Sequence, residues 1–557
     1  MYKHLLVIIL SISFFSIQAG TYKDLEEAKK NPIDVTELDF SFSDQIFIPD
    51  AIYEFPNLES IILRWNRNLN LDNTFHKLSK VATLKSIDLS WCYFSEIPQA
   101  IKEVKQIEHL RLSNNKLFKI HENIQYLENL KSIDLDKNPY IQYGNLFEHL
   151  AKIKTLEELN IAYNYLRDVP ASIEQITSLK HIDISGNAIT QFEKSIASLN
   201  HLRSINLDRN PTIAVDTILN QLIELKQLEY LSMKSCGLVK MSKKFGELIH
   251  LKSLKLNGNP LKSLPSNIGN LTELRHLDIS YSYELSTPNQ LADFPSSFAK
   301  LSKLAYLNLK GSSIKKLPKA FESLTALKYL NLELNLLTEF PKQIEQCKQL
   351  EILELSYNKI NNIPEFIGTY TQLKQLRING TFRYHADLKI KTLPETIGNC
   401  TQLVVLELND NVIEIIPSTI SKISTLKVLK LRNNLVAAIP NTISNNKSLE
   451  VLDLSTNELK TLSQSLTALK QIKHIDISFN PQLNFNKEFY TLSKLTSLET
   501  LDIGKNYVEI TMLEKFETSL PDTKIKFVSL EHFMNQRPPN HMIKILNDQY
   551  EEELRNQ

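Results

Sequence analysis

Three aromatic residues occupy the same place in three successive, similar stretches of the sequence. Phe42, Trp65 and Trp91 each follow an apolar-x-apolar triplet by two residues, as in "IILRW" and "IDLSW", and the chain has no other tryptophan. Large aromatic side chains combine apolar area with a polar edge, and they are enriched in binding interfaces. With Arg64 and Tyr93 beside them, they predict a non-covalent binding patch. The alternative is that the rings pack on the N-terminal residues and bury the first edge of the fold.

Residue patterns that indicate covalent or metal chemistry are missing from the sequence. We find no H-E-x-x-H, no phosphate-binding P-loop, no G-x-G-x-x-G after a strand and no G-x-S-x-G. The 64 basic and 63 acidic residues nearly balance, so no overall field favours nucleic acid or an anionic membrane. We therefore expect no catalytic or metal site, no cofactor and no nucleic-acid partner. An enzyme with an undetected site is a remote alternative.

The elements that must position the aromatic residues recur along the chain. Stretches such as "IEHLRLSNNKL" and "LKHIDISGNAI" fit L-x-x-L-x-L-x-x-N-x-L, and many continue with an apolar-Pro pair, as in "LKSLPSNIGNLTEL". Alternation with period two predicts a short strand in each repeat, paired in parallel with the next about 4.8 Å away. The first apolar residue of each triplet falls at Leu38, Ile61, Ile87, Leu110, Ile133, Leu159, Ile182, Ile205, Leu231, Leu254, Leu277, Leu307, Leu330, Leu353, Leu376, Leu406, Leu429, Leu452, Ile475 and Leu501.

This pattern resembles the leucine-rich repeat, in the 23-residue Leu-Pro form that is similar to the Ras-suppressor group and to exported bacterial repeat proteins. The resemblance covers nearly the whole chain after the N-terminal segment. It implies an α/β solenoid, a curved horseshoe with a parallel β-sheet on the concave face and short helical or irregular outer segments. The asparagine that usually fills the sixth position is expected to form a buried, hydrogen-bonded ladder.

The cysteines and histidines are too far apart in this frame to form a disulfide or a metal site. Cys92 and Cys236 replace the ladder asparagine, whereas Cys347 and Cys400 are two repeats apart, roughly 10 Å, beyond disulfide reach. We predict four free thiols. The histidines that directly precede a strand leucine are at least three repeats apart, roughly 14 Å, and are expected to be solvated surface residues. They are His109, His181, His276 and His474.

Longer repeats interrupt the 23-residue spacing. In four 26-residue repeats a helical pattern such as "GNLFEHLAKIKTL" replaces the apolar-Pro pair and predicts a longer outer helix. Two 30-residue repeats insert residues before the pair, in "SYELSTPNQLADFP" and "TFRYHADLKIKTLP", which predicts projecting loops. Inserted loops often carry function, so Tyr281, Tyr283, Phe382, Arg383 and Tyr384 form a second candidate binding site. Neutral insertion is the alternative.

The N-terminus has the layout of a secretory signal peptide. Lys3 precedes the mostly apolar stretch from Leu5 to Ile17, and Ala19 supplies a small residue before the expected cleavage point. An uncleaved anchor is the alternative, but 13 residues are too few to span a bilayer as a helix. We therefore expect a chain that is secreted, periplasmic or on the cell surface, without membrane insertion.

The expected organisation is one continuous stack of repeats between two caps. An amphipathic helix within Thr21–Val35, with Leu25 and Ala28 facing inward, is expected to cover the first repeat. The expected segments are a signal peptide at 1–19, an N-terminal cap at 20–37, twenty repeats at 38–520 and a C-terminal cap at 521–557. The sequence thus predicts a non-enzymatic recognition protein that binds a protein through the concave face and the loops. The alternative is a glycan or cell-wall adhesin in which Trp65 and Trp91 stack on sugar rings.

Overall fold

A computed structural model describes residues 20–192, 196–281, 290–291, 293–380 and 388–527 and divides them into two compact units. Unit 1 holds the described residues up to Gly237 together with Glu247–Lys255, and unit 2 holds Leu238–Gly246 and the described residues from Leu256 onward. In both units, each repeat contributes one short strand to a parallel sheet.

The sheet of unit 1 keeps the predicted register. Leu38 lies opposite Ile61, and Ile61 lies opposite Ile87, so the first apolar residues of successive repeats form one row. Its strands are Thr21–Tyr22, Glu37–Asp39, Ser60–Ile62, Ser86–Asp88, His109–Arg111, Ser132–Asp134, Glu158–Asn160, His181–Asp183, Ser204–Asn206, Tyr230–Ser232 and Ser253–Lys255. Two short parallel pairs lie outside this sheet, Glu96–Ile97 with Lys119–Ile120 and Asp168–Val169 with Gln191–Phe192.

The sheet of unit 2 follows the same rule. Leu277 lies opposite Leu307, and the row continues to Leu501. Its strands are His276–Asp278, Tyr306–Asn308, Tyr329–Asn331, Ile352–Glu354, Gln375–Arg377, Val405–Glu407, Val428–Lys430, Val451–Asp453, His474–Asp476, Thr500–Asp502 and Lys524–Lys526. The first apolar residue of each of the twenty predicted triplets therefore lies in a strand, which confirms the repeat assignment.

The outer segments differ with repeat length, as predicted. The 26-residue repeats carry the α-helices Leu71–Leu78, Tyr143–Leu150, Val215–Leu222 and Phe485–Leu492. Most other repeats use a turn of 3-10 helix. These turns are Asp50–Glu54, Gln99–Glu103, Glu122–Tyr126, Ala171–Gln175, Ile196–Ser198, Lys243–Glu247, Ile268–Asn270, Ser296–Lys300, Lys319–Ser323, Lys342–Ile344, Glu365–Thr369, Glu395–Asn399, Ser418–Lys422, Asn441–Asn445 and Gln464–Ala468.

The core of each unit contains the repeat leucines and a buried asparagine ladder. Asn335 shows the pattern: its Nδ2 donates to the carbonyls of Leu309 and Leu332, both at 2.9 Å. Its Oδ1 accepts from the backbone N–H groups of Ser312 and Ile314, both at 3.0 Å. One side chain thus satisfies backbone groups of two neighbouring repeats, which a buried turn requires.

The two ladder cysteines take over only part of this role. The thiol of Cys92 donates to the carbonyl of Leu63 at 3.1 Å, and that of Cys236 donates to Leu207 at the same distance. Each of these cysteines lies in the repeat that comes directly after a repeat with an outer α-helix. All four cysteines are free and buried, as predicted, and burial raises the pKa of each thiol to about 12.

The ends of the sheets differ from the expectation. In addition to the short helix expected within Thr21–Val35, the chain first forms the strand Thr21–Tyr22, which pairs with Glu37 and Leu38. A single helical turn, Leu25–Ala28, and the 3-10 turn Pro32–Asp34 follow. The strand forms because the carbonyl of Gly20 accepts the N–H groups of Thr36 and Glu37, which aligns the segment with the open sheet edge. Of the two side chains predicted to face inward, Ala28 is buried and Leu25 is half-buried.

The repeats also continue past residue 520. After the helix Ile510–Ser519, the strand Lys524–Lys526 pairs with Thr500–Asp502, and Ile525 lies opposite Leu501. This strand was missed because "KIK" offers one apolar residue and no L-x-L triplet. Most of the C-terminal cap expected at 521–557 lies outside the described residues.

Candidate partner-binding surface

The fifth position of each repeat, two residues after the triplet, has an unusual backbone conformation. Among the described residues it has a positive φ, close to the left-handed helical region, in eighteen of the twenty repeats. The residues are Phe42, Trp65, Trp91, Asn114, Lys137, Tyr163, Gly186, Arg209, Ser235, Gly258, Gly311, Leu334, Tyr357, Asp410, Asn433, Thr456, Phe479 and Lys505. This conformation ends the alternation of the strand. The fifth side chain is at least partly exposed in most of these repeats, although Asp410 and Phe479 are buried, and the sixth side chain enters the core.

Phe42, Trp65 and Trp91 form a column at this position in unit 1. The rings of Phe42 and Trp65 stack with centroids 5.5 Å apart and planes inclined by 15°. Those of Trp65 and Trp91 stack at 4.9 Å and 14°. The backbone N–H groups of Trp65 and Trp91 donate to the carbonyls of Ser90 and Ser113, which fixes the spacing of the rings. We call these three residues the aromatic column.

The aromatic column remains accessible to solvent. Phe42 is 71% exposed and Trp91 is 38% exposed, whereas Trp65, between them, is half-buried. The first sheet edge is instead covered by the strand Thr21–Tyr22. A cleft of about 420 Å³ lies against the column, with Lys23 and Arg64 among its lining residues.

Two cations lie beside Tyr93, two residues after Trp91, and one of them also lies near Trp65. The guanidinium of Arg67 lies 4.2 Å from the ring centroid of Tyr93 and 5.8 Å from that of Trp65. The ammonium of Lys116 lies 5.1 Å from the centroid of Tyr93. Tyr93, which is 40% exposed, is thus in contact with two cations. In the described part of the chain, neither Arg67 nor Lys116 has a carboxylate within ion-pair distance.

Two carboxylates near the column, those of Asp88 and Asp39, are already engaged. Asp88 accepts from Nε of Arg64 at 2.8 Å and from its Nη2 at 2.7 Å, and its Oδ1 accepts the N–H of Ser90. Asp39 lies 3.6 Å from the ammonium of Lys23. Asp44, two residues after Phe42, is exposed and forms no ion pair within the described ranges, so the surface around the rings carries exposed cations and one exposed carboxylate.

Acidic residues at the second position of other repeats also serve the fold. In unit 1, Asp134 accepts the backbone N–H of Asp136 and the amide of Asn160. Burial raises its pKa to about 6. In unit 2, Arg377 forms ion pairs with Glu354 and Glu407. The polar sheet face is therefore largely satisfied by its own neighbours.

Two family models match the sequence. One, described as "Leucine-rich repeat region", matches residues 231–328 and 384–547, and another, "Leucine rich repeat", matches residues 154–211. Together they cover more than half of the chain. The chain belongs to the leucine-rich repeat family. A search of curated proteins gave no match to this leucine-rich repeat protein.

Solved structures of other leucine-rich repeat proteins resemble this chain in fold. One of them is the Arabidopsis receptor kinase HAESA in complex with the peptide hormone IDA and the co-receptor SERK1. HAESA is 21% identical to this chain, with a TM-score of 0.53, and the match covers 85% of this chain and 78% of HAESA. TLR13 in complex with the RNA ssRNA13 is 19% identical, with a TM-score of 0.53 and coverages of 91% and 83%. A leucine-rich repeat protein of Leptospira interrogans is 24% identical, with a TM-score of 0.45 and coverages of 91% and 99%.

The predicted loop site is described only in part. Tyr281 lies at the fifth position of its leucine-rich repeat beside Gly311, where an added Cβ would come 2.6 Å from the Cβ of Tyr281. Tyr283, Phe382, Arg383 and Tyr384 lie outside the described residues. Within the described ranges, no helix has both the length and the apolar character needed to cross a membrane.

Two groups of aromatic residues were missed by the sequence reasoning. Exposed rings follow the strands of unit 1 in positions that vary between repeats, namely Phe47, Phe118, Tyr140 and Tyr165. In unit 2, His276 stacks on Tyr306 at 4.0 Å, and Tyr306 stacks on Tyr329 at 4.3 Å. We had interpreted His276 as a solvated histidine, but it is half-buried in this stack. Comparing the residue before the first leucine across neighbouring repeats would have revealed the stack.

The described residues contain no group of three or more His, Cys, Asp or Glu side chains arranged to hold a metal ion. Two other histidines of the strand face bond to the next strand: Nδ1 of His109 lies 2.7 Å from Oγ of Ser132, and Nδ1 of His474 lies 2.8 Å from Oγ1 of Thr500. The aromatic column and its cations are therefore the most developed candidate site, and their chemistry is that of non-covalent binding.

Proposed function

We propose that this protein is an exported, non-enzymatic recognition protein that binds a segment of a protein partner at the aromatic column. The observation that carries the proposal is the exposure of stacked rings at a backbone position that disfavours them. Left-handed backbone costs a residue with a bulky side chain about 1–2 kcal/mol, and glycine and asparagine tolerate it best. Rings that neither fill the core nor suit the local backbone are better explained by binding than by folding.

The stacking geometry favours a protein over a sugar. Sugar rings bind aromatic side chains through an open ring face. Both faces of Trp65 are covered, by Phe42 on one side and Trp91 on the other. Ring edges remain, and these suit apolar and aromatic side chains of a protein partner, which approach edges and offset faces. A glycan adhesin would have to use the outer faces of Phe42 or Trp91.

The charges beside the column specify the partner further. Arg67 and Lys116 present cationic groups close to Tyr93, while Asp39 and Asp88 are paired within the protein. A partner segment with apolar anchors and nearby carboxylates would complement this surface. We therefore propose an acidic protein segment as the ligand.

The structural comparisons support a recognition role at the level of the fold. HAESA is in complex with a peptide hormone and TLR13 with an RNA. An RNA partner is disfavoured here because the formal net charge is +1, without the overall excess of cations that binding a nucleic-acid backbone requires.

The test is recovery of partners by the immobilised mature protein from surface or host extracts. Phe42→Ala/Trp91→Ala should lose a specific protein that the wild type retains, with affinity reduced at least roughly tenfold, as for truncation of interface hot spots. A matched control, Ile415→Ala/Tyr490→Ala, removes two side chains that are 71% and 63% exposed in unit 2 and should leave recovery unchanged. Equal recovery by the wild type and the column variant, with both folded, would rule out this site.

The adhesin alternative is tested by titrating cell-surface polysaccharides while following tryptophan fluorescence. Both tryptophans lie in the column, so sugar stacking there must change the emission. We expect no saturable change. A saturable change that is lost in Trp91→Ala would favour the glycan function instead.

A further inference from the structure

A second cleft lies in unit 2, beside the end of the first 30-residue repeat. It encloses about 650 Å³, and its lining includes Gln290 and Asp293 from that repeat, Lys315, Lys316 and Lys319 from the next, and Gln343 from the one after.

The wall formed by the long repeat is anchored to the core. The N–H of Leu291 donates to the carbonyl of Ser312 at 3.1 Å, and the Leu291 side chain is buried. Phe294 packs edge-on against Phe298 and Phe321, with ring centroids 5.2 Å away in both cases. The described part of the wall is therefore held in place before any ligand binds.

The charge of the cleft is strongly positive. Lys315, Lys316 and Lys319 face one carboxylate, that of Asp293. In the part of the chain that the structure describes, none of the three ammonium groups has an acidic partner within ion-pair distance. Three like charges around one depression raise the local concentration of anions.

Gln343 gives the cleft a built polar group. It is only 7% exposed, yet it lines the cleft, and its side-chain amide has no hydrogen-bond partner within the described ranges. The amide atoms are accessible to solvent, because the buried side-chain atoms that lack a hydrogen bond in the described residues belong to other residues, so the amide is open to the cleft. Its NH2 group can donate to an anion that the lysines neutralise.

We infer that this cleft binds a tetrahedral oxyanion of the phosphate or sulfate type. The amide of Gln343 donates to one oxygen, and Lys315, Lys316 and Lys319 neutralise the charge. This site is separate from the proposed protein-binding function, and either can fail without the other.

The test is calorimetric titration of the mature protein with inorganic phosphate and, in a separate arm, inorganic sulfate, against sodium chloride at the same ionic strength. We expect saturable binding of at least one oxyanion, and the two arms show which is preferred. Lys315→Gln/Lys316→Gln/Lys319→Gln should weaken it by about tenfold or more, because charge-assisted hydrogen bonds are lost. The charge-matched control Lys422→Gln/Lys460→Gln/Lys470→Gln should bind as the wild type does.

Gln343→Leu separates binding from folding. An apolar residue of similar size at this mostly buried position should leave the melting temperature in chloride nearly unchanged, while oxyanion binding weakens about tenfold because the amide donor is lost. Three results would each overturn the site: no saturable binding of either oxyanion, equal effects of chloride, or unaltered binding by Gln343→Leu and the lysine variant.

Discussion

At the scale of single residues, a substitution of Phe42 distinguishes a binding role of its ring from a packing role. Its ring is mostly exposed and its φ is 60°, so asparagine should fit the backbone at least as well. We predict that Phe42→Asn leaves the free energy of unfolding unchanged or raises it by up to about 1 kcal/mol, since relief of backbone strain offsets the lost stacking. Denaturant unfolding measures this. A loss well above 1 kcal/mol would show that the ring packs the N-terminal end instead.

Asp134 makes a residue-scale prediction about pH. Burial raises its pKa to about 6; of its charged neighbours, Asp136 and Asp88 raise this pKa and Arg111 lowers it. Its contribution to stability is therefore complete below about pH 4 and is lost as the pH rises to about 6. We predict that Asp134→Asn is more stable than the wild type at pH 7 by about 1–3 kcal/mol, with little gain near pH 4. A difference that does not change with pH would contradict the shifted pKa.

At the scale of elements, the asparagine ladder should dominate the stability of each turn. Asn335→Ala leaves four buried backbone groups without their partner and should cost about 3 kcal/mol or more. Cys92→Ala removes weaker thiol contacts and a small volume, so about 1–2 kcal/mol is expected. Unfolding of both variants tests the ranking, and a reversed order would contradict the assigned roles.

Most strands and helices could be predicted from the sequence, but the edge strands could not. Period-two leucines located every predicted strand, and helical patterns located the four outer helices, because both are local signals. Thr21–Tyr22 and Lys524–Lys526 were missed because they form by pairing with an existing edge, without the triplet. The aromatic column was foreseen because it recurs in one frame. Gln343 and the three lysines that line the same cleft come from different repeats, and only the fold brings them close together.

At the scale of the whole molecule, export remains a proposal from the N-terminal sequence. Thr21–Tyr22 belongs to the sheet, so cleavage after Ala19 would release a chain that begins one residue before the first strand. We predict that secreted protein starts at Gly20, as read by N-terminal sequencing or intact mass. A product that retains residues 1–19 would contradict cleavage, and a product that starts beyond Tyr22 would lack the edge strand.

The central claim is that the aromatic column and its cations bind an acidic protein segment. The most direct measurement is the dissociation constant of the mature protein for the partner recovered from extract, at low and at physiological salt. We predict a loss of roughly tenfold or more in Phe42→Ala/Trp91→Ala, and a similar loss in Arg67→Glu/Lys116→Glu that shrinks as salt rises. Unchanged affinity in the aromatic variant would contradict the site, and unchanged affinity in the charge variant alone would contradict the acidic partner.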